Sequence, residues 1–261
     1  MSLRSLFHRF SSPTLQKRAK KLRGWLTACG WERGFLRKRR PGYVHLSGEG
    51  VEIGAFEHPA PLPDGCRTRD VDAITPAQAA ELFPEIDAEA LVVPDYLIDI
   101  NRDGLKEFAE GQWNYVIACH VIEHLENPGH FVGELFRVVR AGGLVAIAAP
   151  DKRFTFDRSR PETPDAELHR YFTDGRTVGS VDYADISRYV YTDDLNLDDE
   201  ARAGRLEFYK SRREHLSVWT SDGFRRFLTL ALEWNTISAE PVYEVDGDEN
   251  HFEYFGVWRK L

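Results

Sequence analysis

Cysteine and methionine are scarce in this chain, whose 261 residues include three cysteines and one methionine. The cysteines, Cys29, Cys66 and Cys119, form no C-x-x-C pair, so the sequence indicates neither a disulfide framework nor a cysteine-rich zinc site. An odd number of cysteines is typical of a reducing compartment. No apolar run reaches the roughly 18 residues of a membrane span, and no continuous apolar segment marks a signal peptide. These absences predict a cytoplasmic globular protein.

Acidic residues outnumber basic ones, and the formal net charge of −8 argues against bulk nucleic-acid binding. The charge is uneven, because residues 1–40 hold 12 Lys and Arg and one acid, whereas the remainder holds 22 basic and 41 acidic residues. We therefore predict a basic helical arm, residues 1–40, on an acidic domain, residues 41–261. Residues 13–28 indicate an amphipathic helix that would contact an anionic membrane surface, at the inner membrane, or an acidic partner. A helix folded onto the acidic domain is the alternative.

Strand-like and helix-like patterns alternate up to about residue 150. Five strands are indicated by VEI, CRTRDVDAI, LVVPDYLIDI, WNYVIAC and GGLVAIAAP, with Pro94 placing the third at an edge or a bulge. Helices are indicated by TPAQAAELF, which Thr75 would cap, and by HVIEHLENPGHFVGELFRVVRA, which its NPG sequence interrupts. This alternation predicts an α/β fold with a doubly wound, mainly parallel, Rossmann-like sheet.

The alternation breaks at residues 151–213, which are polar, acidic and weakly periodic. A loop of that length is uncommon in a compact domain, so we predict an inserted cap with helices of its own that forms much of a substrate pocket. SDGFRRFLTLALEW then indicates a helix with Ser221 at its N-cap. The last two strand-like segments, TISAEPVYEV and HFEYFGVWRK, predict an antiparallel hairpin around VDGDEN.

Glycine and polar residues follow the predicted strands, where a doubly wound sheet binds its ligand. Gly54 follows the first strand, and a glycine there lets the backbone approach a ligand closely. Asp72 follows the second strand at the spacing of an acid that accepts hydrogen bonds from ribose hydroxyls. The loop has one glycine where a dinucleotide fingerprint has three, which favours a nucleoside ligand without a pyrophosphate.

Three segments in this order resemble class I S-adenosylmethionine-dependent methyltransferases over roughly residues 45–155: VEIGAFEHP, NYVIACHVIEHLENP and LFRVVRAGGLVAIAAPD. The segment PDKRFTFD, Pro150 to Asp157, is similar to members found with bacterial polysaccharide or glycan biosynthesis. The resemblance implies S-adenosyl-L-methionine as cofactor and methyl transfer to a hydroxyl or amine of a small molecule or glycan. It departs from the family pattern where Phe56 replaces the second loop glycine and Ala141 replaces a proline.

The resemblance also implies a cofactor site in the loops after the first four strands. Glu52 would orient the first loop or contact the methionine ammonium. The ribose acid would be Asp72, or Asp70 in a second register, and the adenine amine would face Asp99 or, as the weaker alternative, Asp103. The implied cofactor-binding residues are Glu52, Gly54, Ala55, Phe56, Asp72, Asp99, Cys119 and His120.

A histidine with a pKa near neutrality could remove a proton from the acceptor. The first candidate for this catalytic base is His120, at the end of the fourth strand, and the second is His215, after the insertion. Glu123 and His124 are expected to be structural. The substrate-binding candidates are Asp151, Arg153 and Asp157, for which a structural salt-bridge cluster is the alternative.

Two other functions remain as alternatives. The H-x-x-E-H string formed by His120, Glu123 and His124 is the inverted zinc-peptidase signature when it lies on one helix. A strand runs directly into His120 and a Pro-Gly pair follows soon after His124, so we expect no such helix and no metal. Phe56 in the glycine loop motivates the second alternative, a non-catalytic binding module built on a cofactor fold.

Overall fold

Within residues 34–175 and 183–261, which are those that the computed structural model describes, seven strands form a single sheet. They are β1 (Gly48–Ile53), β2 (Cys66–Asp72), β3 (Tyr96–Leu97), β4 (Trp113–Cys119), β5 (Val139–Pro150), β6 (Ala239–Val245) and β7 (Glu253–Lys260). Their order across the sheet is β3-β2-β1-β4-β5-β7-β6. Strands β1 to β5 pair in parallel, and β7 pairs antiparallel with both β5 and β6. The predicted mainly parallel α/β sheet with a terminal antiparallel hairpin is confirmed.

Helices flank the sheet and fill the insertion. In the described ranges they are α1 (Gly34–Tyr43), α2 (Pro76–Leu82), α3 (Ile100–Asp103), α4 (Pro128–Val138), α5 (Asp165–Asp174), α6 (Ala184–Tyr189), α7 (Asp199–Ser211), α8 (Ser221–Trp234) and α9 (Gly247–Asn250). Short 3-10 helices lie at Ala88–Ala90, Ile122–His124, Lys152–Phe154, Phe156–Ser159 and Thr192–Asn196. None of the helices in those ranges combines the length and the apolar character that a membrane crossing requires.

Strand β4 is buried on both faces, as is typical of a central parallel strand. Val116 and Ala118 pack into the apolar cluster that α4 and α8 cover. Tyr115 and Ile117 point the other way, into the cluster that includes Phe255 of β7. The order of the strands reverses between β1 and β4, so the carboxyl ends of these two strands form the crevice where such sheets bind ligands.

Local capping chemistry explains where two predicted helices begin. Thr75 caps α2 through a capping box, in which its side chain accepts from Gln78 N, as the sequence predicts. The N-cap of α8 is Thr220, whose side chain accepts from Gly223 N, so the prediction of Ser221 was one residue late. Ser221 is buried instead, and its hydroxyl accepts a hydrogen bond from Gly247 N.

The HVIEHLENP segment is not an α-helix. After β4 the chain makes a 3-10 turn at Ile122–His124, and α4 begins only at Pro128, capped by Asn127. His120 has a positive φ of 58°, so the chain leaves the strand sharply. The predicted interruption at Asn127-Pro128-Gly129 is confirmed, because the second piece begins at Pro128, but the first piece is a 3-10 turn and not an α-helix.

The insertion has helices of its own, as expected: α5, α6 and α7 all lie within residues 151–213. The chain returns from it beside β4, where Leu216 N and Ser217 N both donate to the carbonyl oxygen of Glu123. Lys152 N donates to Trp219 O at the other end of the insertion. These backbone hydrogen bonds fix the segment that follows the insertion against the carboxyl edge of the sheet.

The end of the predicted basic arm belongs to the folded domain. Lys38–Leu261 forms one compact unit, and Arg39 donates two hydrogen bonds, of 2.6 and 2.5 Å, to the carboxylate of Glu253 on β7. Both side chains are buried. Residues 38–40 thus belong to the same compact unit as the rest of the described domain, the boundary at residue 40 stays a prediction, and the predicted helix at 13–28 lies outside the described residues.

Replacing Arg39 by alanine should destabilise the fold by about 3 kcal/mol, because it removes one of the two cationic partners of the buried Glu253 carboxylate. The measurement is the free energy of unfolding in urea. Arg67→Ala is the matched control, since its ion pair with Glu49 is exposed and should contribute under about 1 kcal/mol. Equal unfolding curves for the two variants would show that the Arg39 pair does not anchor α1.

Candidate active site

The loop after β1 passes close to the loop after β4. Gly54 has a φ of +70°, and a Cβ atom there would lie 2.8 Å from Val121 Cγ2, so glycine is required for both reasons. Its N–H donates to Val71 O of β2 at 2.9 Å. Ala55 is buried, and Phe56, with a positive φ of 51°, packs the edge of its ring on Phe83 at 5.5 Å. Gly54 thus lies close to the loop after β4, its approach to a ligand stays a prediction, and the unexpected phenylalanine is directed against α2's C-cap residue.

The side chain of Glu52 binds the backbone at the end of the loop that follows β1. Both of its carboxylate oxygens lie 3.0 Å from Ala60 N, which donates to them. Burial raises the pKa of Glu52 to about 7. The structure therefore shows the first of the two predicted roles, orientation of the loop, and contact with a methionine ammonium stays a prediction.

Asp72, the last residue of β2, lies next to Gly54 at the carboxyl edge. Its side chain is partly buried and accepts a long hydrogen bond from Ile74 N at 3.3 Å. Asp70 lies two residues earlier and pairs in register with Glu52 inside the sheet. Of the two registers, the structure places Asp72 at the edge, where a ribose could reach it.

Asp99 reaches the same edge but already has a cationic partner. It caps α3, and Arg213 donates to both of its oxygens at 2.9 and 2.5 Å. These hydrogen bonds with Arg213 hold the pKa of Asp99 below its usual value. The alternative, Asp103, is turned toward its neighbour Arg102 in an exposed ion pair. Arg213 follows α7, so this ion pair ties the insertion to the third strand's loop.

Cys119 points away from this edge. Its Sγ lies 3.7 Å from the hydroxyl of Tyr43 in α1, on the apolar cluster that includes Phe255. Burial raises the pKa of the Cys119 thiol to about 11, which makes it a poor nucleophile at neutral pH. The expected place of Cys119 between cofactor and substrate is not where its side chain lies.

Three histidines surround the buried carboxylate of Glu123. His120 Nδ1 lies 3.4 Å, His124 Nε2 3.9 Å and His215 Nε2 4.0 Å from Glu123 Oε1. The sequence brings two of them from the HVIEH turn and the third from the segment after the insertion. Glu123 and His124, which were expected to be structural, therefore share one cluster with both predicted catalytic bases.

The charge states of these histidines differ. Burial lowers the pKa of His120, but Glu123 and Glu253 outweigh it and raise that pKa to about 9. Burial lowers the pKa of His124 to about 4. At neutral pH His120 is therefore mainly an imidazolium held by two carboxylates, which makes it a weak general base.

Two predicted substrate contacts are corrected by the structure. Asp151 is fully buried and accepts hydrogen bonds from Arg153 and from Ser221 N. Asp157 is buried as well and accepts from Arg160 Nη1 at 2.8 Å and from His215 Nδ1 at 2.6 Å. Neither carboxylate reaches a solvent-filled space, so both orient their neighbours, and only Arg153 keeps a partly exposed side chain.

A cavity of about 600 Å³ opens beside His215. Its lining is rich in polar groups from the insertion, and it includes Arg160, Glu162, Glu167, Arg170, Tyr183 and Asp185. The insertion was expected to form much of a substrate pocket, and this cavity is the space that it encloses next to the histidine cluster.

Sequence reasoning missed two residues that shape this site. Glu253 is fully buried in β7 and holds both Arg39 and His120. An acid within the aromatic strand sequence HFEYFGVW was a signal that its charge has buried partners. Arg213 gave no such signal, because it lies among several charged residues after α7.

Comparison with known proteins adds to this geometry. Residues 78–147 match the model of the methyltransferase domain family. A protein of Mycolicibacterium smegmatis, named a probable S-adenosylmethionine-dependent methyltransferase, is 31% identical over 105 residues, which cover 38% of this chain and 34% of that protein. The chain therefore spans about a third of the length of the curated relative that it matches.

Solved structures resemble the fold more loosely. A SAM-dependent methyltransferase from Thermotoga maritima has a TM-score of 0.45 at 10% identity, covering 94% of this chain and 96% of that one. A protein from Pyrococcus horikoshii has a TM-score of 0.45 at 15% identity, with both chains fully covered. Structural similarities at these TM-scores and sequence identities give no information about the cofactor or the acceptor.

Glu52 should make the stability of the protein fall as pH rises. Its pKa in the folded state, about 7, lies above the ordinary 4.5, so the folded state binds more protons between these values. The free energy of unfolding should drop by about 2 to 3 kcal/mol from pH 5 to pH 8 relative to Glu52→Gln. Urea unfolding at several pH values measures this, and Glu49→Gln, exposed on the same strand, should behave as the wild type does. Parallel pH curves for wild type and Glu52→Gln would contradict the raised pKa.

Proposed function

We propose that the chain is an S-adenosylmethionine-dependent methyltransferase that acts on a hydroxyl or amine of a small molecule or glycan. The observation that carries the proposal is the position of Gly54 and Asp72 at the carboxyl ends of the neighbouring strands β1 and β2, beside the switch point of a 3-2-1-4-5-7-6 sheet. The methyltransferase match over residues 78–147 supports the same activity.

The cofactor is proposed to lie along the carboxyl ends of β1, β2 and β3. Close approach at Gly54 suits a nucleoside, and the carboxylate of Asp72 can accept hydrogen bonds from two ribose hydroxyls. Asp99 is proposed to accept from an adenine amine through a remaining lone pair, while Arg213 balances its charge. No second glycine is needed, since S-adenosylmethionine has no phosphate to cradle.

Methyl transfer from a sulfonium is an in-line displacement, and the protein contributes mainly alignment and exclusion of water. The insertion supplies both. Its end is attached at the Asp99 ion pair and at the carbonyl of Glu123, so the segment from Arg213 to Ser217 covers the edge of the sheet between the two. The acceptor would enter from the insertion side and meet the methyl group near the histidine cluster.

A polar acceptor such as a sugar fits the cavity beside His215, whose charged lining offers hydrogen-bond donors and acceptors in alternation. The segment PDKRFTFD supports the glycan assignment only through resemblance, but its last residue, Asp157, orients His215. Of the three predicted substrate contacts, Asp151 and Asp157 are buried, and Arg153 has a partly exposed side chain.

His215 is a better candidate for the acceptor base than His120. Its Nδ1 hydrogen is used by Asp157, which leaves Nε2 with a lone pair toward the site. His120 Nε2 is hydrogen-bonded to Glu253 at 2.5 Å, and its Nδ1 faces the carboxylate of Glu123 at 3.4 Å. This order reverses the preference that the sequence alone suggested.

The proposals for the protein's cellular location and its partners rest on amino-acid composition alone. We propose a cytoplasmic protein that does not bind specific nucleic acid, on the basis of its low cysteine content and acidic charge. Contact with an anionic membrane surface or an acidic partner is proposed for the basic residues 1–40.

Isothermal titration with S-adenosylmethionine should show binding of one molecule per chain, and Asp72→Asn should weaken it about tenfold or more through loss of charge-assisted ribose hydrogen bonds. Asp70→Asn is the matched control, because this acid lies on the same strand but inside the sheet. It should bind as the wild type does. Absence of binding by the wild type at high micromolar cofactor would end the proposal.

An assay of methyl transfer distinguishes the proposed enzyme from the non-catalytic alternative. If the chain binds S-adenosylmethionine but methylates no member of a broad panel of sugars, nucleotides and amines, the fold serves as a binding module. Product detected by transfer of a labelled methyl group excludes that reading.

A further inference from the structure

The carboxylate of Glu123 is buried, and neither of its oxygens has a hydrogen-bond partner. Leaving such a group unpaired costs several kcal/mol or more in a protein interior. Its surroundings are imidazoles, since His120, His124 and His215 each turn one ring nitrogen toward it within 4.0 Å. His120 is attracted to this charge from 3.4 Å, but within the described residues no group forms a hydrogen bond to either oxygen of Glu123.

The other nitrogens of the rings determine what faces Glu123. His124 Nδ1 lies 2.5 Å from the carbonyl oxygen of Arg213, and His215 Nδ1 lies 2.6 Å from Asp157. A carbonyl and a carboxylate can only accept, so both Nδ1 atoms donate, and a ring that carries its one hydrogen there presents its Nε2 lone pair inward. Two lone pairs and a carboxylate then face one another, an arrangement that repels unless a cation lies between them.

The distances between the donor atoms of this cluster are near those between ligands of one metal ion. Oxygen and nitrogen ligands of zinc lie about 2.0 to 2.2 Å from the ion, which separates tetrahedral ligand atoms by about 3.4 Å. The donor atoms of Glu123, His124 and His215 all lie within 4.8 Å of one another, with Glu123 Oε1 3.9 and 4.0 Å from the two nitrogens. To complete the geometry, the two contacts of Glu123 would shorten by about half an ångström, and the separation of the two nitrogens, which is at most 4.8 Å, by up to about 1.4 Å.

We propose that Glu123, His124 and His215 form a binding site for one divalent transition-metal ion, with zinc the best match. Two imidazoles and one carboxylate are a donor set that zinc takes in open sites, where a fourth position is left for a water or a substrate oxygen. Magnesium and calcium prefer oxygen ligands alone. The Arg213 carbonyl and Asp157 already occupy the outer positions that orient metal-binding histidines.

This site differs from the H-x-x-E-H zinc site that the sequence raised as an alternative. That site would use His120 and His124 on one helix, with the glutamate as a base. In the structure the segment is a 3-10 turn, the glutamate itself is a ligand, and the third ligand comes from the segment after the insertion. His120 stands beside the ion, bound to Glu253. The sequence predicted no metal, and the proposed three-residue site predicts one ion, so a metal titration distinguishes the two.

The following consequence for the acceptor rests on the proposed methyltransferase function: a bound ion would change the acidity of an acceptor group bound to it. A hydroxyl bound to the open position would have a lowered pKa and could lose its proton near neutral pH, so that a hydroxyl acceptor is favoured over an amine. His215 would then be a ligand and would not serve as a free base.

The test uses the full-length chain, freed of metal with a chelator and titrated with Zn²⁺ by calorimetry and with Co²⁺ by visible absorption. We expect one ion per chain with micromolar or tighter affinity, and cobalt bands typical of nitrogen and oxygen ligands. His124→Ala and the near-isosteric Glu123→Gln should each weaken binding by about tenfold to a hundredfold. Circular dichroism confirms that each variant is folded. His45→Ala, which removes an exposed histidine outside the cluster, should leave the affinity unchanged.

Affinity equal in the wild type and the folded Glu123→Gln and His124→Ala variants would overturn the site, as would absence of binding by the wild type at about 100 µM Zn²⁺. Titration with S-adenosylmethionine on the same samples separates the two proposals. A chain that binds the cofactor but no metal keeps the proposed function and loses this site. A chain that binds metal but no cofactor keeps the site and loses the function.

Discussion

A continuous line of buried charges connects the elements of this protein, and the arrangement of its candidate active site depends on that line. In order of contact, its members are Arg39, Glu253, His120, Glu123, His215, Asp157 and Arg160. The line starts in α1, crosses the sheet edge at β7 and β4, and ends in the insertion. Each of these side chains is largely removed from water, so each requires a charged or hydrogen-bonding partner, and this requirement fixes the elements relative to one another.

The insertion shows how this requirement shapes the edge of the sheet. Helices α5 to α7 could pack in many ways on a polar surface, yet the segment after them is fixed by His215 at Asp157, by Arg213 at Asp99 and by two backbone donors at the carbonyl of Glu123. These contacts are directional and partly buried, so they define one position for the segment. The cavity beside His215 exists because the insertion is held there.

The edge of the sheet has two chemically different halves. On the side of β1 and β2, Gly54 and Asp72 offer close backbone approach and an acceptor carboxylate, which suit a nucleoside. On the side of β4, the turn from His120 to His124 offers imidazole nitrogens and a carboxylate without hydrogen-bond partners, which suit a cation and an oxygen bound to it. A methyl donor in the first half and an acceptor in the second would meet at the junction, where Val121 packs against Gly54.

The sequence by itself determined the sheet, the edge and the candidate cofactor acids, because these follow from local patterns. Apolar periodicity marked the strands, Thr75 and its capping box marked α2, and Gly54 and Asp72 followed their strands at the expected spacing. Only the tertiary structure decided the chemistry of the HVIEH turn. His215 lies far from Glu123 along the chain, and Glu253 farther still, so their approach depends on how the insertion and β7 fold back onto β4. No local pattern encodes the balance of burial and opposite charge that brings them together.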